Sequence, residues 1–350
     1  MSNPTRFRSK FLLMGLIFAL MAVLLFAASH LWRKVTAPNL SLGAKKEASL
    51  YIRTGATFSD VMQSLTDSSW LAHPEWFAWT AIKMQYNSQV KPGRYLLREG
   101  MSSRELASML RSGAQTPVKV VFHNIHSSQQ LAKVVASQIE ADSLSLITLM
   151  NDTLLLHRFG LTPTTSPALY IPNTYEFYWN SSANDFMERM FAEYNRFWNP
   201  EREQRRKALQ MTRVEVSVLA SIVEQETQQN SEKRRIAGVY LNRLRKKMPL
   251  QADPTVKFAL GDRTLRRILF EHLKVESPYN TYRNQGLPPG PICTPSIVSI
   301  DAVLQAEKHD YLYFCAREDF SGFHAFAKTH SEHNRNAQRY RAALNRAAIK

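Results

Sequence analysis

From residue 11 to residue 28 the chain carries no polar side chain, and Leu31 and Trp32 continue the run. In hydrocarbon every backbone N–H and C=O must find its partner within the spanning structure, so a lone segment of this kind can only be a helix. About 20 residues are enough to cross the apolar core. Arg6, Arg8 and Lys10 precede the run, and Trp32, Arg33 and Lys34 follow it in the pattern of an interfacial anchor. A cleaved signal peptide is the rival, because Ala27, Ala28 and Ser29 resemble a processing site. The apolar run, however, exceeds the usual signal core of about 7 to 15 residues. The reading adopted is a short N-terminal tail (residues 1–10), one transmembrane helix (11–32) and a polar linker broken by Pro and Gly (33–48). Lys45 and Lys46 join Arg33 and Lys34 beyond the span, so charge counting leaves the orientation open.

The 350 residues, 44% hydrophobic and 21% charged, leave room for one large or two modest domains with a full core. The net charge of +16 is spread along the chain and follows no RNP-like, zinc-finger or basic-helix pattern. Nucleic acid is therefore not an expected partner. An anionic membrane surface or polymer fits a tethered basic domain better. Cys293 and Cys315 are too few for a disulfide scaffold and have no metal-ligand spacing.

Three helix starts share one signature, a hydroxyl residue followed three positions later by an acid or amide: Thr57 with Asp60, Ser102 with Glu105, Ser127 with Gln130. Each follows a strand-like run, SLYIR, GRYLL or VKVVF, which makes a loose internal repeat. From Ser49 to Arg98 the order is strand, helix, helix, strand, which resembles a LysM-like module, a fold that in other proteins binds N-acetylglucosamine polymers. The α+β region is placed at 49–123 and a helical connector at 124–206. ALYIPNTYEFYW (168–179) interrupts the connector as an expected rigid aromatic loop, and a further domain occupies 207–350.

Within that domain ASIVEQET (220–227) reads as helix. At about 100° per residue, Val214, Val218, Leu219, Ile222 and Val223 form an apolar face with Glu226 in its middle, and Glu224 points the other way. A carboxyl on an apolar face has a raised pKa and suits proton transfer near neutral pH, so Glu226 is the candidate general acid. The helix after it is expected to be capped by Asn230 or Ser231. LQADPTV (250–256), PYNTY (278–282) and GLPPGPI (286–292) then read as proline-stiffened turns. Gln251, Asp253, Thr255, Asn280, Thr281 and Tyr282 supply donors and acceptors of the kind an oligosaccharide needs.

ASIVEQET, NRL (242–244), LQADPTV, PYNTY and GLPPGPI, followed by YLYF (311–314) and HAFAKTHSEHN (324–334), resemble in this order the YceG-like endolytic murein transglycosylases, the MltG family. The likeness extends over nearly the whole chain. It implies an α+β protein with a single N-terminal transmembrane helix, a LysM-like βααβ module and a mixed α/β catalytic domain. The implied reaction is cleavage of the β-1,4 bond between N-acetylmuramic acid and N-acetylglucosamine without water, leaving a 1,6-anhydro end. The second glutamate of the family's E-x-E pair falls on Glu226. The resemblance further implies a catalytic region outside the bacterial cytoplasmic membrane, peptidoglycan glycan strands as substrate, work beside peptidoglycan synthases, and no cofactor. Ser221, Asn173, His324 and Asn334 are expected in supporting roles. Where many members carry an Asp after the proline of the aromatic loop, this chain has Asn173. His324, His330 and His333 invite a metal reading, but no matching carboxylates accompany them and no metal is expected. Two rivals stay open: a hydrolase of the same polymer using Glu226 and Asp253, and a non-catalytic peptidoglycan-binding scaffold.

Overall fold

The computed structural model describes residues 4–262, 265 and 267–347, with side chains from residue 13 onward. It shows a mixed α/β protein, mostly helical, that divides into two compact units. The first helix, Pro4–Thr36, carries the long apolar run, and its large side chains from Leu13 to Phe26 are exposed, as on a helix whose partner is lipid. Residues 1–3 of the expected cytoplasmic tail, and the side chains of Arg6, Arg8 and Lys10, lie outside the described residues.

The first unit comprises Met1–Val118 with Glu176–Asn180. Strands Glu47–Ile52 and Gly93–Arg98 pair antiparallel, with Leu50 opposite Tyr95, and helices Phe58–Asp67 and Pro74–Lys83 lie between them in sequence. Leu50, Ile52, Val61, Leu65, Phe77, Leu97, Leu106 and Leu110 form the core. Two of the three helix starts are closed capping boxes, Thr57 with Asp60 and Ser102 with Glu105. Residues 33–48, read as a linker, are packed in part, although residues 43–47 are exposed. The helix runs on to Thr36, Leu40 and Leu42 enter the core, and buried Asn39 donates to the carbonyl of His73 and to Ser103 Oγ, both at 2.9 Å.

The second unit comprises Lys119–Tyr175 and Ser181–Lys350. Here Ser127 caps its helix by accepting from the Gln130 N–H, but Gln130 Oε1 reaches past it to the N–H of His126, so the reciprocal half of the box is missing. The aromatic stretch is not wholly a loop, because Asn173–Phe177 is a strand, with Tyr170, Ile171 and Tyr175 buried. Helix Arg213–Glu226 runs through the core. Residues 216–223 are buried without exception, because helices Asn230–Arg245, Asp253–Leu260 and Ile297–Leu304 all pack against it. A one-sided apolar face is therefore too narrow a description. Val214, placed on that face, is half-exposed, while Ser217, Ala220 and Ser221, off it, are fully buried. LQADPTV is likewise more than a turn. Asp253 opens a helix, with Pro254 in the first turn where its missing N–H costs nothing. The Asn230–Arg245 helix has no side-chain cap from Asn230 or Ser231; the Thr227 hydroxyl accepts the N–H of Gln229 just before it. Strands Tyr313–Ala316 and His324–Ala327 form an antiparallel hairpin against helix His330–Arg346.

Candidate active site

Glu226 is the last residue of its helix, and Thr227 turns the chain into extended backbone. This ending delivers the carboxyl into a cleft of about 370 Å³. Glu226 Oε1 accepts a hydrogen bond of 2.5 Å from the hydroxyl of Tyr240, whose ring is buried on the next helix. Burial pushes the Glu226 carboxyl up to about 7, and the nearby charge of Asp253 adds to the effect. The Tyr240 hydrogen bond and the cations Lys257 and Arg243 oppose it. Burial also raises the Tyr240 phenol well above its ordinary range, so it remains a donor.

Glu224, two residues earlier, has the reverse fate. Burial raises its pKa, but this is outweighed by the hydroxyls of Ser296 and Ser299 and by Lys233 Nζ at 3.2 Å, leaving the carboxyl below its usual range. One carboxyl is thus held ionised in a structural clamp while its neighbour is pushed up toward neutrality, a split that makes Glu226 the candidate acid of the pair.

Gln251, Asp253 and Tyr282 line the same cleft as Glu226. The Tyr282 hydroxyl donates to Asp253 Oδ1 at 2.6 Å, and Gln251 Oε1 accepts from Arg243 Nη1 at 3.1 Å. Arg243 is buried and held by the carbonyls of Leu312, Pro249 and Leu250, with its guanidinium 5.1 Å from the centre of the Tyr313 ring. Tyr313, Phe314, His330 and His333 complete the wall, with Tyr313 stacked on His333 at 5.4 Å.

The other expected sugar contacts face inward. Thr255, Asn280 and Thr281 are buried, and their polar groups are already engaged. The Thr255 and Thr281 hydroxyls bond each other at 2.9 Å, Thr281 Oγ1 accepts from the N–H of Ala252, and Asn280 Nδ2 donates to the carbonyls of Leu273 and Val275. Their effect is to tie the 250s to the 280s, which sets Asp253 beside Tyr282. Ser221 works from the interior as well, with its Oγ accepting from the N–H of Ile292 at 3.0 Å and pinning the GLPPGPI loop to the core helix. His324 pairs with buried Glu232 at 2.8 Å and stands edge-on to Phe314. Asn334 is exposed and meets His330 Nδ1 at 3.3 Å. Asn173 is exposed, turns its Oδ1 to the N–H of Thr174, and is not in the wall of the cleft. Among the described residues no group of His, Cys, Asp and Glu is arranged to hold a metal ion.

Sequence reasoning gave no role to Tyr240 and met Arg243 only within the NRL motif. A signal was present, since a tyrosine on an inward face needs an acceptor for its hydroxyl. His330 and His333 were weighed only as metal ligands, and the pairing that brings them to the cleft depends on the hairpin and its following helix.

Comparison with known proteins follows the same lines. A model of the YceG-like family matches residues 50–339. An endolytic murein transglycosylase of Bacillus subtilis is 28% identical over 338 residues, covering 92% of each chain. One from Streptococcus pneumoniae is 26% identical over 87% of this chain, which spans 61% of that longer protein. A crystal structure of a yceG-like protein from Listeria monocytogenes superposes with a TM-score of 0.56 at 28% identity, over 83% of this chain and 99% of the other.

Proposed function

The chain belongs to the YceG-like family, and we propose on that premise that it is an endolytic lytic transglycosylase, a carbon–oxygen lyase acting on nascent peptidoglycan strands. Glu226 protonates the oxygen bridging N-acetylmuramic acid C1 to N-acetylglucosamine C4 as that bond breaks and C1 gains oxocarbenium character. The muramic C6 oxygen then bonds to C1, and Glu226 takes its proton. The enzyme returns to its starting state, no water is consumed, and the product carries a 1,6-anhydro ring. Tyr240 occupies Oε1 and thereby orients the carboxyl toward the cleft. Gln251, Asp253 and Tyr282 contact sugar, while Thr255, Asn280, Thr281 and Ser221 hold their loops in place.

The observation that carries this reading is a single carboxyl, raised to about 7, at the end of a core helix and inside an open cleft. The hydrolase remains the second reading, because Asp253 lines the same cleft. Mass analysis of uncrosslinked glycan digested by the purified protein separates the two: anhydro ends support transglycosylation, and reducing ends carrying added water reject it. Glu226→Gln should be inert while still binding strands; a wild-type protein equally inert would leave only the scaffold. In the same reading the apolar helix is a membrane anchor, the catalytic unit lies on the outer side of the cytoplasmic membrane, and the strand–helix–helix–strand region is a LysM-like sugar-binding module. The enzyme acts there beside the peptidoglycan synthases.

A further inference from the structure

A second cavity of about 280 Å³ opens in the same unit, lined by His126, Gln225, Pro254, Lys257, Phe258 and Ile292. Its position follows from chain neighbours. Gln225 faces it while Glu226 faces the acid's cleft, and Pro254 faces it while Asp253 faces that cleft. The two cavities share no lining residue, but both draw on the end of the Arg213–Glu226 helix and the start of the Asp253–Leu260 helix. Its wall is amphipathic: Phe258, Pro254 and Ile292 offer apolar surface, and Gln225 and Lys257 offer polar groups. That combination suits a sugar ring bearing a charged substituent. Lys257 is half-buried, and among the described residues no hydrogen bond or ion pair engages its ammonium. Nearby Asp253 instead accepts from Tyr282. The charge of Lys257 is felt by the Glu226 carboxyl, but no direct ion pair among the described residues occupies the ammonium, so it is placed to receive an anion.

We propose that the second cavity is a binding site for the part of the glycan strand beyond the scissile bond, and that Lys257 there takes a carboxylate of the polymer. The inference rests on the glycan reading above. Sugars of such a strand are neutral, so the carboxylate comes either from a peptide stem or, on a stem-free sugar, from the lactyl group. A second site near the acid's cleft also gives the enzyme more purchase on the interior of a strand, which an internal cut requires.

The test compares wild type, Lys257→Gln and Lys257→Arg on three strand preparations: stem-bearing, stem-free with lactyl carboxylates exposed, and stem-bearing with every carboxylate converted to amide. Measurement at about pH 5.5 keeps Glu226 protonated in all three proteins. Wild type should show a KM about tenfold lower on carboxylate-bearing than on amidated strands, a difference that Lys257→Gln erases and Lys257→Arg restores, with kcat little changed. A Lys257-dependent advantage confined to stem-bearing strands assigns the carboxylate to the stem, and one confined to stem-free strands assigns it to the lactyl group, which is an amide wherever a stem is attached. Equal KM values for wild type and Lys257→Gln on all three preparations, or a fall in kcat alone, would overturn the proposal. Wild-type production of anhydro ends, and their absence with Glu226→Gln, are scored in the same digests, so failure at Lys257 stays distinct from failure of the proposed reaction.

Discussion

Replacing Tyr240 by Phe removes one hydroxyl from the site and little else, because the ring keeps its buried position and its edge-on contact with Phe314 at 5.9 Å. That hydroxyl donates to Glu226 Oε1 at 2.5 Å and favours the ionised carboxylate over the acid. A hydrogen bond to a charged group contributes about 1.5–3 kcal/mol, and part of it survives when the acceptor is protonated. A differential of about 1.4 kcal/mol corresponds to roughly one pKa unit. Glu226 begins at about 7, so the variant's acid should titrate about one unit higher. The proposed reaction starts from protonated Glu226, and kcat/KM should therefore hold at acid pH and fall as pH rises through the pKa of the free enzyme. The assay is kcat/KM against pH on soluble glycan strands, with release of anhydro ends as the signal. In Tyr240→Phe the alkaline limb should move upward by about one unit, even if the maximum rate falls because the carboxyl is less well oriented. A limb that stays in place or moves toward acid would show that Tyr240 does not set the ionisation of Glu226, and the assignment of the acid would fail with it.

Other substitutions separate function from stability. Because the folded-state pKa of Glu226 lies above its ordinary value of 4.5, the native state gains below that value and loses stability as pH rises through about 7. Glu226→Gln should therefore unfold at higher denaturant than wild type at pH 8, by up to about 3 kcal/mol, and at nearly the same denaturant in acid. Glu224→Gln should do the opposite, costing about 3–5 kcal/mol near neutral pH by leaving the buried Lys233 ammonium without its anion, which denaturant titration would register. Gly238→Ala, ordinarily favourable in a helix, should here destabilise by about 2 kcal/mol or more, since its Cβ would lie 2.5 Å from the carbonyl of Glu307 and 2.6 Å from His309 Nε2. Ser221→Ala should lower stability by about 1–2 kcal/mol and speed amide exchange at Ile292, whose N–H loses its acceptor.

The sequence singled out Glu226 by an argument only partly matched in the structure. Its helix is buried all round from residue 216 to residue 223, so an apolar face does not by itself separate Glu226 from Glu224. The separation comes from partners far along the chain: Ser296, Ser299 and Lys233 around one carboxyl, Tyr240 and the cleft around the other. The polar motifs were found as a group, yet their division into cleft-lining Gln251, Asp253 and Tyr282 and inward Thr255, Asn280 and Thr281 was not legible. Adjacent residues such as Thr281 and Tyr282 point to different surroundings once the loop is folded.

The chain by itself determined what neighbouring residues decide: the apolar helix at the N-terminus, the capping boxes at Thr57 and Ser102, the strand–helix–helix–strand order, and the motifs that mark the family. Those depend on hydropathy and hydrogen bonds within a few residues, and they survive in any environment the segment meets. Tertiary structure alone decided which carboxyl keeps its proton, which polar side chains face the cleft, and that a second cavity with Lys257 adjoins the first. Desolvation and charge–charge interaction depend on distances through space, and residues such as Glu226, Tyr240, Asp253 and His330 acquire those distances only when four separate segments pack together.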